Sequence, residues 1–243
     1  MKKKLFFSLG QITFSTLFTR FDSDLAFHSS SLFSLSVSRH RRLAPLYDKR
    51  PSVAEHAFVA PNATLVGDVT VGTQSAIWYG AVLRGDVNHV RVGAHSSIGD
   101  DVVVHVSSGS IAPGAVARST SIGDNVLVEA GALLHACTVQ NHVWIQTGAI
   151  VMDGVVVNEG AIVGPSSLVT KSVPTGEYWA GVPALKVRDV TQADRDALVA
   201  RRSALLKLAG AHDDEHSKST QQLHTESEAT RNDHFGEGLD HKH

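Results

Sequence analysis

Residues 59–83 read VAPNATLVGDVTVGTQSAIWYGAVL, and an aliphatic residue stands at every sixth position of this stretch. The members of this series are Val59, Leu65, Val71, Ile77 and Leu83. A short fixed period is typical of a solenoid, in which similar coils stack on one another. Six residues supply one short strand and one turn, so three hexads predict a triangular coil that encloses the aliphatic side chains.

The period continues to Val169, with a slip of three residues after Leu83 and a slip of one residue after Leu134. Its later members are Val92, Ile98, Val104, Ile122, Val128, Leu134, Val139, Ile145, Val151, Val157, Val163 and Val169. Glycine often follows the aliphatic residue, where a corner leaves little room for a side chain. An antiparallel β-sandwich is the alternative, but strand alternation alone does not produce so many matches to period six. We therefore predict an all-β parallel β-helix, a hexapeptide-repeat prism, over residues 51–188.

The composition fits one domain with terminal extensions, since the chain has 243 residues of which 42% are hydrophobic. A formal net charge of -2 gives no sign of nucleic-acid binding. The single cysteine, Cys137, excludes an intrachain disulfide and indicates a small buried side chain in a reducing compartment. No run of ~18 or more apolar residues is present, so we expect no transmembrane helix.

Residues 1–50 lack the repeat and are rich in serine and basic residues, with few acids. This composition predicts an organelle transit segment, with the mitochondrion as the destination. A secretory signal is the alternative, because three lysines precede Leu5, Phe6 and Phe7. Polar residues interrupt that apolar stretch, which favours the organelle.

Residues 189–210 predict a helix, from Thr191 to about Ala209, that packs against the prism or a neighbour. Thr191 can cap its first turn together with Asp194, and Gly210 is the predicted stop. Residues 211–243 predict a polar, solvated tail, because they lack periodicity. Its histidines are His212, His216, His224, His234, His241 and His243.

The hexads that begin at Leu83, Val104, Leu134 and Val151 share one face of the prism if residues 107–121 leave the coil and return. The step from Val104 to Leu134 is 30 positions, which is one 18-residue coil plus a 12-residue insertion. The position after each aliphatic residue then forms a column along this face.

This column contains Arg84, His105, His135 and Met152. Adjacent coils lie ~4.8 Å apart, so His105 and His135 are close enough to share a metal ion. A catalytic zinc ion needs three protein ligands, and the third has to come from elsewhere, for example from a neighbouring chain. The alternative is a histidine ladder that is hydrogen-bonded to backbone or water.

Six motifs occur between Tyr47 and Leu208. They are VAPN (59–62), AVLRGDVN (81–88), VVHV (103–106), IGDN (122–125), LLHAC (133–137) and GEYWAGVPA (176–184). With these motifs the chain resembles the γ-class carbonic anhydrases, especially the mitochondrial members found as subunits of respiratory complex I. Hexapeptide acyltransferases share the prism but lack the RGDVN segment followed by two histidine motifs. The resemblance implies a trimer of left-handed β-helices with zinc sites between subunits.

The resemblance also implies roles for individual residues. His105 and His135 match the two metal ligands that one chain contributes. Arg84 and Asp86 match an ion pair between subunits that helps to order the active site, and Asp100 matches a further polar residue of that site.

The chain departs from the family pattern at two positions. Active members have a histidine at the position of Ala130 and a glutamine at the position of Gly99. A methyl group cannot coordinate zinc, so a homotrimer would offer two histidines at each interface. Glu129 is an alternative donor, but neighbouring side chains of a strand point to opposite faces.

Three functions are compatible with these features. The first, which we expect, is a mainly structural subunit of a homo- or heterotrimer on the membrane arm of mitochondrial complex I, at the matrix side of the inner membrane. Zinc would then occupy only some intersubunit interfaces. The second is an active carbonic anhydrase that hydrates CO2 to bicarbonate, with the third ligand from a sister subunit or Glu129. The third is a hexapeptide-repeat acyltransferase, with His89, His95 or His142 as the general base.

Overall fold

A computed structural model describes residues 40–108, 118–219, 221, 222 and 225, and its core is a β-solenoid of about seven turns. The first strands are β1 (Leu43–Ala44), β2 (Ser52–Val53), β3 (Phe58–Val59), β4 (Thr64–Val71), β5 (Ala76–Ile77), β6 (Val82–Val92), β7 (Ser97–Ile98), β8 (Val103–His105), β9 (Thr120–Ile122) and β10 (Leu127–Val128). The later strands are β11 (Leu133–His135), β12 (Thr138–Val139), β13 (Trp144–Ile145), β14 (Ile150–Val151), β15 (Val156–Val157), β16 (Ile162–Val163), β17 (Leu168–Val169), β18 (Glu177–Gly181) and β19 (Ala184–Asp189).

Parallel pairing arranges these strands as three faces. The first face contains β1, the first halves of β4 and β6, and then β8, β11, β14 and β17. The second face contains β2, the second halves of β4 and β6, and then β9, β12 and β15. The third face contains β3, β5, β7, β10, β13, β16 and β18, and the antiparallel strand β19 forms its end. All the aliphatic residues of the period-six series are buried, as the repeat predicts.

The solenoid begins earlier than the predicted boundary at residue 51. Strand β1 pairs with β4, with Leu43 opposite Leu65. Residues 1–39 of the predicted transit segment lie outside the described residues. The remaining residues, 40–50, include β1 and belong to the first coil.

The two insertions in the repeat have visible structural causes. The three-residue slip is a bulge, because Gly67 pairs with Gly85 while Val69 pairs with Val90. A Cβ on Gly67 would lie 2.4 Å from the Gly85 carbonyl oxygen, and the φ of Gly67 is +73°, so glycine is required there. Asp86 lies on the longer side of this bulge.

The 12-residue insertion leaves and rejoins the coil at one place. Ser107 and Arg118 exchange backbone hydrogen bonds of 3.0 and 3.2 Å, which close its base. Residues 109–117 of the predicted excursion lie outside the described residues. On either side of it β8 and β9 keep their register with β6, so the insertion does not disturb the stack.

Helix α1 (Gln192–Ser217) follows the last strand, and Thr191 and Asp194 form the capping box that the sequence predicts. The predicted stop at Gly210 is wrong, because the helix continues for seven more residues. One interior glycine costs only about 1 kcal/mol, and the side chains of His212 and His216 contact aromatic residues of the solenoid. The first part of the predicted tail is therefore helical. Nearly all residues beyond 219 lie outside the described part. Among the described residues, no helix is long and apolar enough to cross a bilayer.

Candidate metal centre

His105 and His135 lie side by side on the first face. They end strands β8 and β11 and are direct cross-strand partners. Their ring centroids are 5.3 Å apart and their planes differ by 39°. The buried residues Val104 and Leu134 precede them, so the register of the core fixes the spacing of the two imidazoles.

Arg84 and Asp86 complete the polar group on this face. Arg84 pairs in register with His105, and its Nε lies 2.8 Å from Asp86 Oδ2. Burial raises the pKa of Asp86, but the Val87 N–H, the Arg84 guanidinium and His105 outweigh it, so the pKa lies below its usual range. Asp86 is therefore a carboxylate at neutral pH.

His105 has a buried Nε2 atom without a hydrogen-bond partner among the described residues. The nearest acid oxygen, Asp86 Oδ1, is 3.9 Å away, beyond hydrogen-bonding distance. Burial, and then the charge of Arg84, lower the pKa of His105, while Asp86 opposes them. A neutral imidazole with a free nitrogen is the form that binds a metal ion.

A cavity of about 240 Å³ lies beside these groups. It is lined by Arg84, Asp86, Val87, His105, Val106, Ser107, Ser108 and His135. Four of the five residues that the sequence singles out as site residues thus meet in one place, and Asp100 does not.

Asp100 and Ala130 lie on the corner between the third and first faces, where β7 and β10 turn into β8 and β11. Both are exposed. Asp100 Oδ1 accepts a hydrogen bond of 3.0 Å from the Tyr79 N–H. Ala130 lies in the turn before β11, whereas His135 ends that strand, so a histidine in place of Ala130 would not join His105 and His135 within the same chain.

Gly99 abuts the turn that contains Ala130. A Cβ on Gly99 would lie 2.8 Å from the Ala130 nitrogen and 2.9 Å from the Glu129 carbonyl carbon. A glutamine at this position does not fit the present backbone. The two departures from the family pattern are therefore in direct contact.

Glu129 is engaged in a network that the sequence did not reveal. Its carboxylate accepts hydrogen bonds from Trp144 Nε1 at 3.0 Å, from the Thr147 N–H at 3.1 Å and from the Thr147 hydroxyl at 2.7 Å. Arg201 Nε of helix α1 lies 2.9 Å from it, and the Glu129 side chain is only 11% exposed. These partners hold the carboxylate in place as an anchor for the helix, which argues against a role as a zinc ligand.

Cys137 follows His135 by two residues but does not add a donor. Burial raises the pKa of its thiol to about 12, so it is not a thiolate at neutral pH. Across the described ranges, no three His, Cys, Asp or Glu side chains are placed to hold a metal ion. One chain therefore offers two nitrogen donors on the first face, and these alone do not make a catalytic zinc site.

The histidines considered as acyltransferase bases lie elsewhere. His89, His95 and His142 are exposed, and His95 and His142 occupy corners with positive φ. His95 lines a larger cavity, of about 460 Å³, between α1 and the solenoid, which contains none of the residues of the first-face group. The structure does not bring these three histidines together.

Comparisons with known proteins give relatives along most of the chain. An uncharacterized protein of Dictyostelium discoideum is 35% identical, over 96% of this chain and 97% of its own length. The Arabidopsis thaliana protein named gamma carbonic anhydrase 2, mitochondrial, is 43% identical over 78% of this chain and 68% of its own length. The structure of a hexapeptide transferase family protein from Anaplasma phagocytophilum is 38% identical, with a TM-score of 0.63 over 70% of this chain and 96% of that one. No protein-family model matches this chain.

Proposed function

The chain belongs to the γ-class carbonic anhydrase family, and we propose that it is mainly a structural subunit of a trimer whose own metal site is incomplete. The proposal includes the left-handed coil and the trimer that the family resemblance implies. It also includes attachment to the membrane arm of mitochondrial respiratory complex I, on the matrix side.

The observation that carries this proposal is the exposed methyl group of Ala130 at the position of the third ligand. In the family arrangement, one chain supplies the donors equivalent to His105 and His135, and its neighbour supplies the third. Three identical copies of this chain would place two imidazoles and a methyl group at every interface. Zinc held by only two protein ligands would be bound weakly, and such a site would not support CO2 hydration.

The alternative donor in the same turn is already engaged. To coordinate zinc, Glu129 would have to leave Trp144, Thr147 and Arg201. Each of these hydrogen bonds contributes about 0.5–1.5 kcal/mol that would be lost, because its partner groups are partly buried or exposed. This cost favours a structural use of Glu129.

A heterotrimer is the second candidate, and it is favoured by the buried Nε2 of His105, which has no hydrogen-bond partner among the described residues. A sister chain that has histidine at the position of Ala130 would complete the interface that contains His105 and His135 of this chain. The neutral imidazole of His105 and the ordered Asp86–Arg84 pair are compatible with this use. Zinc with three protein ligands and an open position lowers the pKa of a bound water to ~7.

A mitochondrial location is supported by the relatives, and attachment to a larger assembly is supported by the surface. The Arabidopsis thaliana relatives are named as mitochondrial proteins. The hairpin of β18 and β19 exposes apolar side chains at the end of the solenoid, with Val182 71% exposed and Leu185 and Val187 each 61% exposed. Exposed apolar patches of this kind commonly mark protein contacts.

The test is to restore the missing donor. We expect the homotrimer of this chain to contain less than one zinc per interface and to show little CO2 hydration. Ala130→His should raise the zinc content toward one per interface and bring hydration with it, because the exposed turn accommodates the new side chain. Lys171→His adds a histidine at another exposed position and is the matched control.

Metal analysis and stopped-flow CO2 hydration would measure these outcomes. Stoichiometric zinc and robust hydration in the unmodified homotrimer would show that the structural assignment is wrong. Purification of the native chain as a free trimer, away from complex I, would refute the attachment.

A further inference from the structure

A second group of metal-binding side chains lies at the seam between helix α1 and the solenoid. His212 Nδ1 is 2.7 Å from the hydroxyl oxygen of Tyr79, and His216 Nε2 is 3.3 Å from the same oxygen. The two histidines are four residues apart, so they lie on one side of the helix. We infer that His212, His216 and Tyr79 bind one divalent transition-metal ion, zinc or copper(II).

The spacing of the donor atoms suits such an ion. Bonds of ~2.0–2.1 Å in a tetrahedral zinc site place neighbouring ligand atoms ~3.3 Å apart. The two separations from the Tyr79 oxygen, 2.7 and 3.3 Å, are near this value. Small side-chain movements would therefore make room for an ion between atoms that already converge.

Aromatic neighbours hold the two imidazoles in position. The His216 ring stacks on Phe58 at 6.2 Å, with 9° between the planes. The His212 ring meets Trp78 edge-on at 5.5 Å and 83°. Phe58 and Trp78 are buried members of the core, so the donors rest on a rigid support, as a preorganised metal site requires.

A metal ion could take the place of the two hydrogen bonds that now join Tyr79 to the imidazoles. The Tyr79 hydroxyl has one proton, so it donates to one imidazole and accepts from the other. A metal ion would replace both hydrogen bonds: the donating imidazole would carry its proton on the other ring nitrogen instead, and the phenol proton would leave to solvent when the oxygen binds as phenolate. Imidazole nitrogen suits zinc and copper ions, and His216 is exposed, so water can reach a further coordination position.

This site is separate from the first-face pair. None of its ring or hydrogen-bond contacts involves His105 or His135. It also uses a donor type, the phenol of Tyr79, that the first-face group lacks. Absorption of a copper(II)–phenolate bond is therefore a signature that distinguishes the two sites.

The experiment titrates the full chain with Zn²⁺ by calorimetry and with Cu²⁺ by absorption spectroscopy. We expect a phenolate-to-copper band in the unmodified chain that Tyr79→Phe abolishes. Tyr79→Phe and His216→Gln should each weaken one class of Zn²⁺ binding by at least ~10-fold, since outer-shell changes alone cost 10–100-fold. The matched control, His224→Ala with His234→Ala, removes two tail histidines and should leave band and affinity unchanged.

Tyr79→Phe keeps the aromatic ring and changes only the oxygen, so circular dichroism should show an intact fold. If it leaves the Zn²⁺ affinity and the Cu²⁺ spectrum unchanged, the site does not exist and the cluster only holds the helix. If the tail control abolishes the band, the metal belongs to the tail and the inference is equally overturned.

Discussion

The two histidine pairs of this chain are built in opposite ways. His105 and His135 are 30 positions apart and become neighbours through the register of stacked coils. His212 and His216 are four positions apart and become neighbours through one turn of a helix. The first pair depends on the whole solenoid, whereas the second depends on where α1 lies on it.

The pairs also differ in the source of a third donor. On the first face the described residues offer no third donor beside His105 and His135, so in the proposed trimer it would come from another chain. At the helix seam Tyr79 of the same chain is within 3.3 Å of both imidazoles. Of the two proposed sites, one would thus require a neighbouring chain and the other would be complete within this chain.

The largest expected effect comes from the core beneath the first pair. Leu134→Ala should lower the free energy of unfolding by about 2–5 kcal/mol, because Leu134 is fully buried between coils. It should also disturb the spacing of His105 and His135. Urea denaturation measures the loss. The control, Val199→Ala, replaces a side chain of α1 that is 49% exposed and should change the free energy of unfolding by less than about 0.5 kcal/mol. Equal effects of the two substitutions would contradict a core-fixed register.

A smaller effect is expected from the network that joins the solenoid to the helix. Glu129→Ala removes the acceptor of the partly buried Trp144 Nε1 and of the exposed Thr147 donors, and should cost about 0.5–1.5 kcal/mol. The exposed Glu55→Ala is the control. Thermal unfolding measures the loss. In the Ala130→His background, Glu129→Ala should leave zinc binding intact, and a loss of zinc without a loss of stability would instead identify Glu129 as a ligand.

The smallest effect concerns the start of α1 and its dependence on pH. The Arg188 guanidinium, and then Thr191, hold the pKa of Asp194 well below its usual range. A lowered pKa in the folded state means that this stabilisation is present above the unfolded pKa, about 3.8, and is lost as pH falls through the lower folded value. Asp194→Asn should cost about 0.5 kcal/mol at pH 7 and less at pH 2, where part of this stabilisation is already lost. Stability measured from pH 7 to pH 2 checks this, and an equal cost at both ends would exclude the carboxylate charge as the cause.

The fold and the first histidine pair could be predicted from the sequence because both follow from the number of residues between members of the repeat. The step of 30 positions from Val104 to Leu134 resolves into one coil and one insertion, and this places His105 beside His135. The end of α1 could not be found in the same way. Its extension past Gly210 depends on contacts of His212 and His216 with Phe58 and Trp78, which lie more than 130 positions earlier in the sequence.

The role of Glu129 escaped the sequence for a related reason. Its partner Arg201 is 72 positions away, on a different type of element, and no periodicity connects the two. The bulge that carries Asp86 was visible as a slip of three residues. The resemblance implied an Arg84–Asp86 ion pair between subunits, but that the two side chains pair within one chain and that Asp86 approaches His105 required the backbone path.

Hydrogen bonds between Ser107 and Arg118 close the base of the insertion after His105. The length of the insertion can therefore change without moving the stacked coils. The chain leaves the coil and rejoins it at a single point, so residues can be added or removed between the two without shifting β8 or β9. Doubling the length of such a segment costs only about 0.6 kcal/mol in closure entropy. Evolution, or an engineer, can therefore change the length of this insertion while the two imidazoles stay where the core holds them.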